Sequence, residues 1–474
     1  MPLAIPFDNS YARLPGPFHT RQRAAPVRAP RLIAWNAGLA EALGITGDDD
    51  AQTLARVFSG NDLPEGAAPL AQVYAGHQFG GFSPQLGDGR ALLLGEVVDR
   101  AGHRRDIQLK GSGPTPYSRM GDGRAWLGPV LREYLVSEAM HAMGIPTTRA
   151  LAAVATGEQV WREAGALPGA VLTRVASSHI RVGTFQYFAA RRDLANLRAL
   201  YDYTVARHYP HVENPAHLLS EVIGRQARLV AQWLSVGFIH GVMNTDNTAI
   251  SGETIDYGPC AFMDSYHPQT VYSSIDAQGR YAYDNQANAI VWNMAQFASA
   301  LVPLMPEADA AVAEFTALVH AMPDRIEAEW RTAFGAKIGI ADPTPEDLVL
   351  VGDLLARMAE GRADFTNTFR ALATGGARDQ FRDPLAFDSW EAGWRARIAR
   401  EADPLAVMRA ANPVVIPRNH RVEQVIAAAV SGDLAPFERL LAVVSRPFED
   451  LPDAADLRRP PLPSEAVSRT FCGT

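Results

Sequence analysis

Polar residues that suit metal binding and proton transfer are concentrated between residues 239 and 258, in the segment IHGVMNTDNTAISGETIDYG. Asn247 and Asp256 offer an amide oxygen and a carboxylate, which are ligand types that Mg²⁺ takes in sites that also hold substrate phosphates. Asp246, directly beside Asn247, offers a carboxylate that can accept a proton from a hydroxyl group. The segment therefore predicts phosphate chemistry at a metal site, with Asp246 as the base.

The spacing of these residues follows the pattern of protein kinases with one change. Kinases carry His-x-Asp-x-x-x-x-Asn, in which Asp is the base and Asn holds Mg²⁺, and a later Asp-x-Gly supplies another metal ligand. His240 and Asn247 keep that spacing and Asp256-Tyr257-Gly258 matches the later motif, but Val242 occupies the position of the catalytic Asp. The pattern predicts kinase-like architecture with an intact metal site and a displaced base.

A lysine and a glutamate upstream have the order of the ion pair that orients a kinase lysine on nucleotide phosphates. Residues 106–110 alternate as a strand that ends at Lys110, and residues 128–143 have the apolar spacing of a helix that carries Glu133. Glu138 on the same helix is a competing partner for Lys110. A solvent-facing side chain is the simpler interpretation of either glutamate.

Two glycine-rich segments and two arginines are further candidates for holding phosphate. Residues 85–90 (QLGDGR) enter a buried-looking strand, and residues 117–124 (YSRMGDGR) lie between the lysine strand and the glutamate helix. Glycine lets backbone N–H groups approach phosphate, although Gly-Asp-Gly is also an ordinary hairpin turn and the second segment is also typical of a surface loop. Arg174 and Arg181 have no obvious acidic partner nearby in the sequence, which suits an anion such as a terminal phosphate.

The elements that must position these residues divide the chain into four predicted regions. Residues 1–72, rich in Pro, Arg and Ala, are expected to form an irregular extension, and residues 73–168 a small sheet with one helix. Residues 169–305 are expected to form a mainly helical lobe with the catalytic and metal loops. Residues 306–474 are expected to form a helical region that ends in a cysteine-containing tail. The predicted fold class is α+β, a kinase-like bilobal fold with a helical C-terminal extension.

Composition restricts the class of protein. Of the 474 residues, 47% are hydrophobic and 20% are charged, which is typical of a globular chain with substantial cores. The net charge of −8 argues against broad binding to nucleic acid or to anionic membranes. The N-terminus lacks a signal-peptide pattern, no apolar run is long enough to span a membrane, and two cysteines fit a reducing compartment. We therefore expect a cytoplasmic protein.

Long, specific segments of the chain resemble the selenoprotein O (SelO), or YdiU, family of protein adenylyltransferases. They are VYAGHQFGGFSPQLGDGRA, DIQLKGSGPTPYSRMGDGRAWLGPVLREYLVSEAMHAMGIPTTRA, HGVMNTDN with TIDYGP, and the terminal FCGT. The resemblance extends over nearly the whole chain and implies a pseudokinase that binds ATP in a flipped orientation. It further implies transfer of AMP to Ser, Thr or Tyr hydroxyls of proteins, release of pyrophosphate, and a role in redox homeostasis.

The resemblance also implies roles for the candidate residues. Asp246 would be the proton acceptor, Asn247 and Asp256 would hold Mg²⁺, with Mn²⁺ as an alternative, and Glu133 would pair with Lys110. The implied partners are ATP and acceptor proteins, including the enzyme itself, and neither nucleic acid nor membrane. Contacts with ATP are implied for Gly87, Gly89, Arg90, Lys110, Asp122, Gly123, Arg174, Arg181 and Asp256.

Two other functions stay open at this level. A conventional phosphotransferase, acting on a protein or a small molecule, shares the motif order, but such enzymes keep Asp where Val242 stands. A non-catalytic pseudokinase that binds ATP as a structural ligand would not need the metal ligands.

The two cysteines raise a separate hypothesis. In some SelO members selenocysteine lies near the C-terminus, where this chain has Cys472. Cys260 lies four residues beyond Asp256, and a Cys260–Cys472 disulfide would be placed to regulate the metal site. A buried Cys260 and a free thiol in the tail are the alternative.

Overall fold

A computed structural model describes residues 2–47, 50–163 and 165–471, and its architecture is α+β. The strands are β1 (His19–Arg21), β2 (Arg31–Trp35), β3 (Leu70–Gln72), β4 (Gly76–Gln78), β5 (Gly81–Ser83), β6 (Ala91–Val98), β7 (Arg104–Lys110), β8 (Ala125–Trp126), β9 (Arg149–Arg162), β10 (Gly165–Ala176), β11 (Phe238–Ile239) and β12 (Ala261–Phe262). The helices are α1 (Ala37–Ala42), α2 (Ala51–Phe58), α3 (Leu127–Ala142), α4 (Val182–Ala190), α5 (Leu194–His208), α6 (Pro215–Ser235), α7 (Gln286–Leu301), α8 (Ala308–His320), α9 (Met322–Lys337), α10 (Leu348–Gly361), α11 (Phe365–Thr374), α12 (Pro384–Ile398), α13 (Pro404–Ala411), α14 (Asn419–Val430), α15 (Ala435–Val444) and α16 (Ala455–Arg458).

One antiparallel sheet organises the N-terminal part of the chain. Its strands run in the order β1-β3-β6-β7-β10-β9-β2, and β8 pairs with β10. Lys110 lies opposite Ala91 of β6 on one side and Leu172 of β10 on the other. The lysine is therefore inside the sheet and only 9% exposed, although a lysine that ends a strand is more often solvated.

The first 72 residues do not form the irregular extension that their composition predicted. β1, β2 and β3 belong to the main sheet, and α2 packs Leu54 and Phe58 into one core with Leu94, Ile107 and Leu109. Strands of three to five residues are too short to show an alternating pattern, and the partners of β2 lie in β9, far along the sequence. The tertiary pairing thus determined structure that the local sequence did not indicate.

Helices cover the opposite face of the sheet and form the rest of the chain. α3 lies on the sheet, and its Leu131 and Leu135 share a core with Val422 of α14 and with Phe437 and Leu440 of α15. The last helices therefore return to the sheet. The largest hydrophobic core contains residues of the helices from α4 through α13. Within this core, α6 contacts α7, α8 and α9.

Two small antiparallel pairs frame the loops that carry the candidate chemistry. β11 and β12 pair Phe238 with Phe262, so residues 240–260 form a loop whose two ends are held together by backbone pairing. β4 and β5 form a hairpin outside the main sheet. Within the described ranges, no helix has an apolar stretch of sufficient length to cross a bilayer.

Candidate active site

A cleft of about 830 Å³ lies between the sheet and the loop of residues 242–258. It brings together segments that are far apart in the sequence, from the hairpin, both glycine-rich segments, β7, β10 and the residue 242–258 loop. The sequence-predicted residues that line it are Gly87, Gly89, Arg90, Lys110, Asp122, Gly123, Arg174, Arg181, Asp246, Asn247 and Asp256. Glu133 does not line the cleft, because it lies behind Lys110.

Asp256 is the centre of a buried charge cluster. Its Oδ1 accepts hydrogen bonds of 2.7 Å from both Lys110 Nζ and Arg174 Nη1, and its Oδ2 accepts one of 3.4 Å from Arg181 Nη1. Burial alone would raise the pKa of Asp256, but the adjacent cations hold this pKa well below its usual range. The residue has a left-handed backbone with φ of 63°, which is uncommon outside glycine and fixes the direction of the carboxylate.

Lys110 and Glu133 form the ion pair that their order in the sequence predicted. Lys110 Nζ donates to Glu133 Oε2 at 2.5 Å, and both side chains are buried. The competing Glu138 is engaged elsewhere, because Arg149 donates to its two oxygens at 2.8 and 2.7 Å. The structure therefore selects Glu133 over Glu138.

The expectation that Arg174 and Arg181 lack acidic partners was wrong. Arg174 also donates to Glu133 Oε1 at 3.3 Å, and Arg181 lies 4.0 Å from Asp88 Oδ1 and 4.3 Å above the ring of Tyr74. These partners come from α3 and from loops that are distant in the sequence, so the local sequence around each arginine does not reveal them. An anionic ligand would have to replace carboxylates at these guanidinium groups.

Asp246 is a buried carboxylate that lines the cleft from the residue 242–258 loop. Burial raises the pKa of Asp246 to about 6, with Arg181 and Gln78 acting in the other direction. Its Oδ2 accepts a 3.1 Å hydrogen bond from Gln78 Nε2, whereas Oδ1 is buried without a hydrogen-bond partner among the described residues. A carboxyl group with this pKa is suited to accept a proton near neutral pH.

Hydrogen bonds within the loop hold the residues of the kinase-like motif in place. Asn247 Nδ2 donates to Val242 O at 3.0 Å, so the amide oxygen of Asn247 is the atom that could bind a metal ion. His240 Nε2 lies 2.9 Å from Ile255 O and so ties the start of the loop to the residue before Asp256. Burial lowers the pKa of His240, so a neutral, structural histidine follows.

The hairpin formed by β4 and β5 is a part of the site that sequence reasoning missed. His77 N donates to Thr245 Oγ1 at 2.7 Å, and Phe79 N donates to Asn244 Oδ1 at 3.1 Å. With the bond from Gln78, three successive hairpin residues hold three successive loop residues. The only available signal was the pair of glycines in GHQFGG, which permits a tight turn but does not indicate its partner.

Gly76 of the hairpin packs directly against Asp246. A Cβ atom at this position would lie 2.7 Å from Asp246 Oδ1 and 2.9 Å from Asp246 Cβ. Real Cβ atoms do not approach so closely, so the hairpin and Asp246 can pack together only because residue 76 is glycine.

The two glycine-rich segments pack against each other. A Cβ at Gly87 would lie 2.5 Å from the ring of Tyr117, and one at Gly89 would lie 2.9 Å from Tyr117 O. A Cβ at Gly123 would lie 2.2 Å from the carbonyl of Gly113. These glycines are therefore required by packing, besides any contact with phosphate.

Two acidic residues of these segments differ in their surroundings. Asp122 is exposed at the rim of the cleft, where Arg162 Nη1 donates to it at 2.8 Å. Asp88 was not singled out from the sequence, yet it is 2% exposed and lines the cleft near Arg181. Burial raises the pKa of Asp88 to about 6, with Arg181 opposing the shift. Its position within Gly-Asp-Gly was the available signal.

Cys260 is fully buried beside the residue 242–258 loop, and burial raises the pKa of its thiol to about 12. Within the described ranges it forms no disulfide. Cys472 lies outside the described residues, so the Cys260–Cys472 disulfide remains a hypothesis. Thr470, two residues before Cys472, lies within the described ranges, and its Oγ1 donates to the carbonyl oxygen of Pro259, the neighbour of Cys260, at 2.5 Å.

The chemistry of the donor set fits a cation bound together with phosphates. Asp256 and Asn247 supply a carboxylate and an amide oxygen, the hard ligands that Mg²⁺ and Mn²⁺ accept. Lys110, Arg174 and Arg181 supply positive charge to the same cleft, and Asp246 supplies a base. The arrangement can bind a nucleoside triphosphate and activate a hydroxyl nucleophile.

Comparisons with known proteins place the chain among enzymes of one kind. A family model described as "Protein adenylyltransferase SelO" matches residues 2–445. The protein nucleotidyltransferase YdiU of Ruegeria pomeroyi is 65% identical over 474 residues, with 100% of both chains covered. The YdiU proteins of Jannaschia sp. and Rhizobium rhizogenes are 60% and 57% identical, the first over 100% of both chains and the second over 99% of this chain and 97% of its own.

Proposed function

Since this chain belongs to the SelO family of protein adenylyltransferases and is a protein nucleotidyltransferase, we propose that its cleft transfers AMP from ATP to hydroxyl side chains of proteins. One observation carries the proposal at the level of residues. The buried carboxylate of Asp246 lines the cleft with Lys110, Asn247 and Asp256, while Val242 stands at the usual position of the kinase base.

The metal ligands and the lysine have distinct proposed roles. Asn247 and Asp256 would hold Mg²⁺, with Mn²⁺ as the alternative, and the ion would neutralise charge on the phosphates. Lys110, oriented by Glu133, would contact the phosphates directly. Asp256 now accepts hydrogen bonds from three cationic side chains, so nucleotide binding would redistribute these cations from the carboxylate to the phosphate oxygens.

Asp246 is the proposed proton acceptor. The acceptor hydroxyl of a Ser, Thr or Tyr would lose its proton to Asp246 while its oxygen forms a bond to the α-phosphorus. The bond from that phosphorus to the bridging oxygen would break, and pyrophosphate would leave. The hydrogen bond from Gln78 and the contact with Gly76 would hold the carboxylate in one orientation during this step.

ATP would bind in the flipped orientation, with the α-phosphate near Asp246 and the outer phosphates toward the glycine-rich segments. The cationic side chains of those segments support this direction, because Arg90, Arg119 and Arg124 all line the cleft. Gly87, Gly89 and Gly123 would let the backbone approach the nucleotide, with Asp122 at the rim and Arg174 and Arg181 on the phosphates.

The proposed lobes follow the kinase arrangement. Residues 73–168 would form the N-lobe together with β1, β2 and β3 of the first 72 residues, residues 169–305 the C-lobe with both loops, and residues 306–474 the helical C-terminal region. The strand β10 would carry the chain from the N-lobe into the C-lobe. The sheet with α3 on one side of the cleft and the helices around α6 on the other support this division.

The test uses ATP labelled at the α- or the γ-phosphate, with the enzyme itself and a cell lysate as acceptors. Protein-bound label from α-labelled ATP alone, with release of pyrophosphate, is the expected result. Label from γ-labelled ATP alone would identify a phosphotransferase and overturn the proposal. Preferential labelling by α-labelled UTP, CTP or GTP would contradict the choice of ATP, because the relatives' names specify only a nucleotidyltransferase.

A matched pair of variants separates the role of Asp246 from general effects of charge removal. Asp246→Asn is expected to retain ATP binding in a calorimetric titration and to lose transfer, since an amide cannot accept the proton. Asp309→Asn, an exposed position on α8, should change neither property. Full transfer by Asp246→Asn would remove Asp246 as the base.

A further inference from the structure

Three side chains of types that bind transition metals converge on the surface of the helical part. His211 lies in the loop between α5 and α6, and His217 and Glu221 lie one turn apart on α6. One ligand atom of each lies within 4.8 Å of the others, and no other His, Cys, Asp or Glu set in the described part of the chain meets this criterion. None of the three lines the cleft.

The ligand atoms lie within 4.8 Å of one another, so side-chain rotation would have to bring them to the spacing of a tetrahedral zinc site. Zn²⁺ binds histidine nitrogen and carboxylate oxygen at about 2.0–2.2 Å, so neighbouring ligands in a tetrahedron lie about 3.4 Å apart. Glu221 Oε2 is 3.4 Å from His211 Nε2, and Glu221 Oε1 is 3.9 Å from His217 Nε2. These two distances involve different oxygens of Glu221, and the three side chains, which are 57%, 38% and 37% exposed, have room to rotate toward one ion.

The backbone on both sides of His211 is fixed, which lowers the entropic cost of forming a site. Asn214 caps α6, and its side chain accepts a 2.9 Å hydrogen bond from His217 N. On the other side, Tyr209 is buried, and its hydroxyl donates to Ile250 O at 2.6 Å. Val212 N donates to Tyr209 O at 2.8 Å, so the loop that carries His211 is closed by its own turn.

Ion pairing alone is a weaker explanation of this arrangement. If Glu221 formed ion pairs with both histidines, two imidazolium rings with centroids 5.6 Å apart would repel each other. Two neutral imidazoles and one carboxylate, by contrast, are a ligand set that Zn²⁺ takes with a water in the fourth position. The cation replaces the two protons that ion pairing would need.

We propose that His211, His217 and Glu221 bind one first-row divalent cation, Zn²⁺ in preference to Mg²⁺, at a site separate from the nucleotide cleft. Nitrogen ligands favour Zn²⁺, whereas Mg²⁺ prefers an all-oxygen shell. The bound ion would tie the residue 209–214 loop to α6. Tyr209 connects that loop to Ile250, in the segment between Asn247 and Asp256, so the ion would stabilise the segment that supports the candidate active site.

The test is calorimetric titration of Zn²⁺ into the tag-free, metal-free full chain and into single variants. We expect one site with a dissociation constant of about 10 μM or tighter that is lost in His217→Ala and in Glu221→Gln. Loss of a direct ligand should weaken binding by at least about 100-fold, since even the removal of groups behind the ligands costs 10- to 100-fold. His320→Ala, an exposed histidine at the end of α8, is the matched control and should bind Zn²⁺ as the original chain does.

Further measurements distinguish a loss of metal binding from misfolding of a variant, and they do not depend on the proposed function. Co²⁺ in place of Zn²⁺ should give the visible absorption of a tetrahedral ion, and Zn²⁺ should raise the melting temperature of the original chain but not of His217→Ala. Nucleotidyl transfer in Mg²⁺ by His217→Ala should be unchanged. Absence of Zn²⁺ binding, or equal binding by the original chain, His217→Ala and Glu221→Gln, would overturn the proposal.

Discussion

The hydrogen bond from Gln78 to Asp246 leads to a quantitative prediction about catalysis. Gln78→Leu keeps a similar volume and removes the donor that holds Asp246 Oδ2 at 3.1 Å. Asp246 loses negative charge as it accepts the proton, so the contribution of this bond to the rate is the orientation of the carboxylate. Misplacement of a reacting group by about 1 Å can cost about 100-fold in rate, so kcat should fall by about 10- to 100-fold.

The assay is steady-state transfer of α-labelled AMP to the protein, with ATP varied over a wide range. The KM for ATP should change little, because Gln78 contacts Asp246 and not the cluster of Lys110, Arg174 and Asp256. A fall in kcat with constant KM is the signature of an interaction made in the transition state. A generally destabilised site would change both parameters.

Two companion variants make the result specific. Gln52→Leu introduces the same change at an exposed position on α2 and should leave kcat unchanged. Gly76→Ala places a Cβ 2.7 Å from Asp246 Oδ1 and should lower kcat as well, because the carboxylate must move. An unaltered kcat in Gln78→Leu would refute the claim that the hairpin positions Asp246.

Three other changes test the charge cluster, a buried lysine and a glycine contact. Glu133→Gln should reduce the free energy of unfolding by about 3–5 kcal/mol and also reduce transfer, because Lys110 loses a buried counter-charge. Urea unfolding and the label assay measure the two effects, and a variant as stable as the original chain would contradict the importance of this pair. Burial lowers the pKa of Lys337 to about 7, so between about pH 7 and pH 10.5 the unfolded chain binds more protons than the folded one. The free energy of unfolding should therefore rise with pH across this window and fall as pH decreases toward 7. When this free energy is measured by urea unfolding, its dependence on pH should be shallower in Lys337→Met, and an equal dependence would show that Lys337 is charged in the folded protein. Gly123→Ala should destabilise the protein by about 1–3 kcal/mol and raise the KM for ATP, because φ is 64° and the Cβ would lie 2.2 Å from the carbonyl of Gly113. Normal stability and a normal KM would show that the residue 117–124 segment can move away from Gly113 without cost.

Several elements and pairs could be predicted because their signals are local or follow a fixed order. The residue 128–143 helix and the residue 106–110 strand have regular apolar spacing, and the structure contains α3 and β7 at these positions. Lys110 and Glu133 were paired from their order alone, and their side chains meet at 2.5 Å. The motif residues Asn247 and Asp256 line one cleft, as their spacing predicted.

The parts that could not be predicted depend on contacts between distant segments. The acidic partners of Arg174 come from α3 and from the loop between β11 and β12, so no acidic partner lies near this arginine in the sequence. β1, β2 and β3 are too short to show a strand pattern, and they become strands by pairing with partners elsewhere in the sheet. The hairpin contact with Asp246 spans 168 residues.

The sequence by itself determined which chemical groups are present, their order along the chain, and the family to which the chain belongs. Periodicity and motif spacing contain that information because they reflect neighbours a few residues apart. Only the tertiary structure decided that Asp256 is shared by three cations, that burial moves the pKa of Asp246 to about 6, and that Gln78 holds its carboxylate. Desolvation, charge pairing and hydrogen-bond geometry depend on distances through space, and these are set only when remote segments pack together.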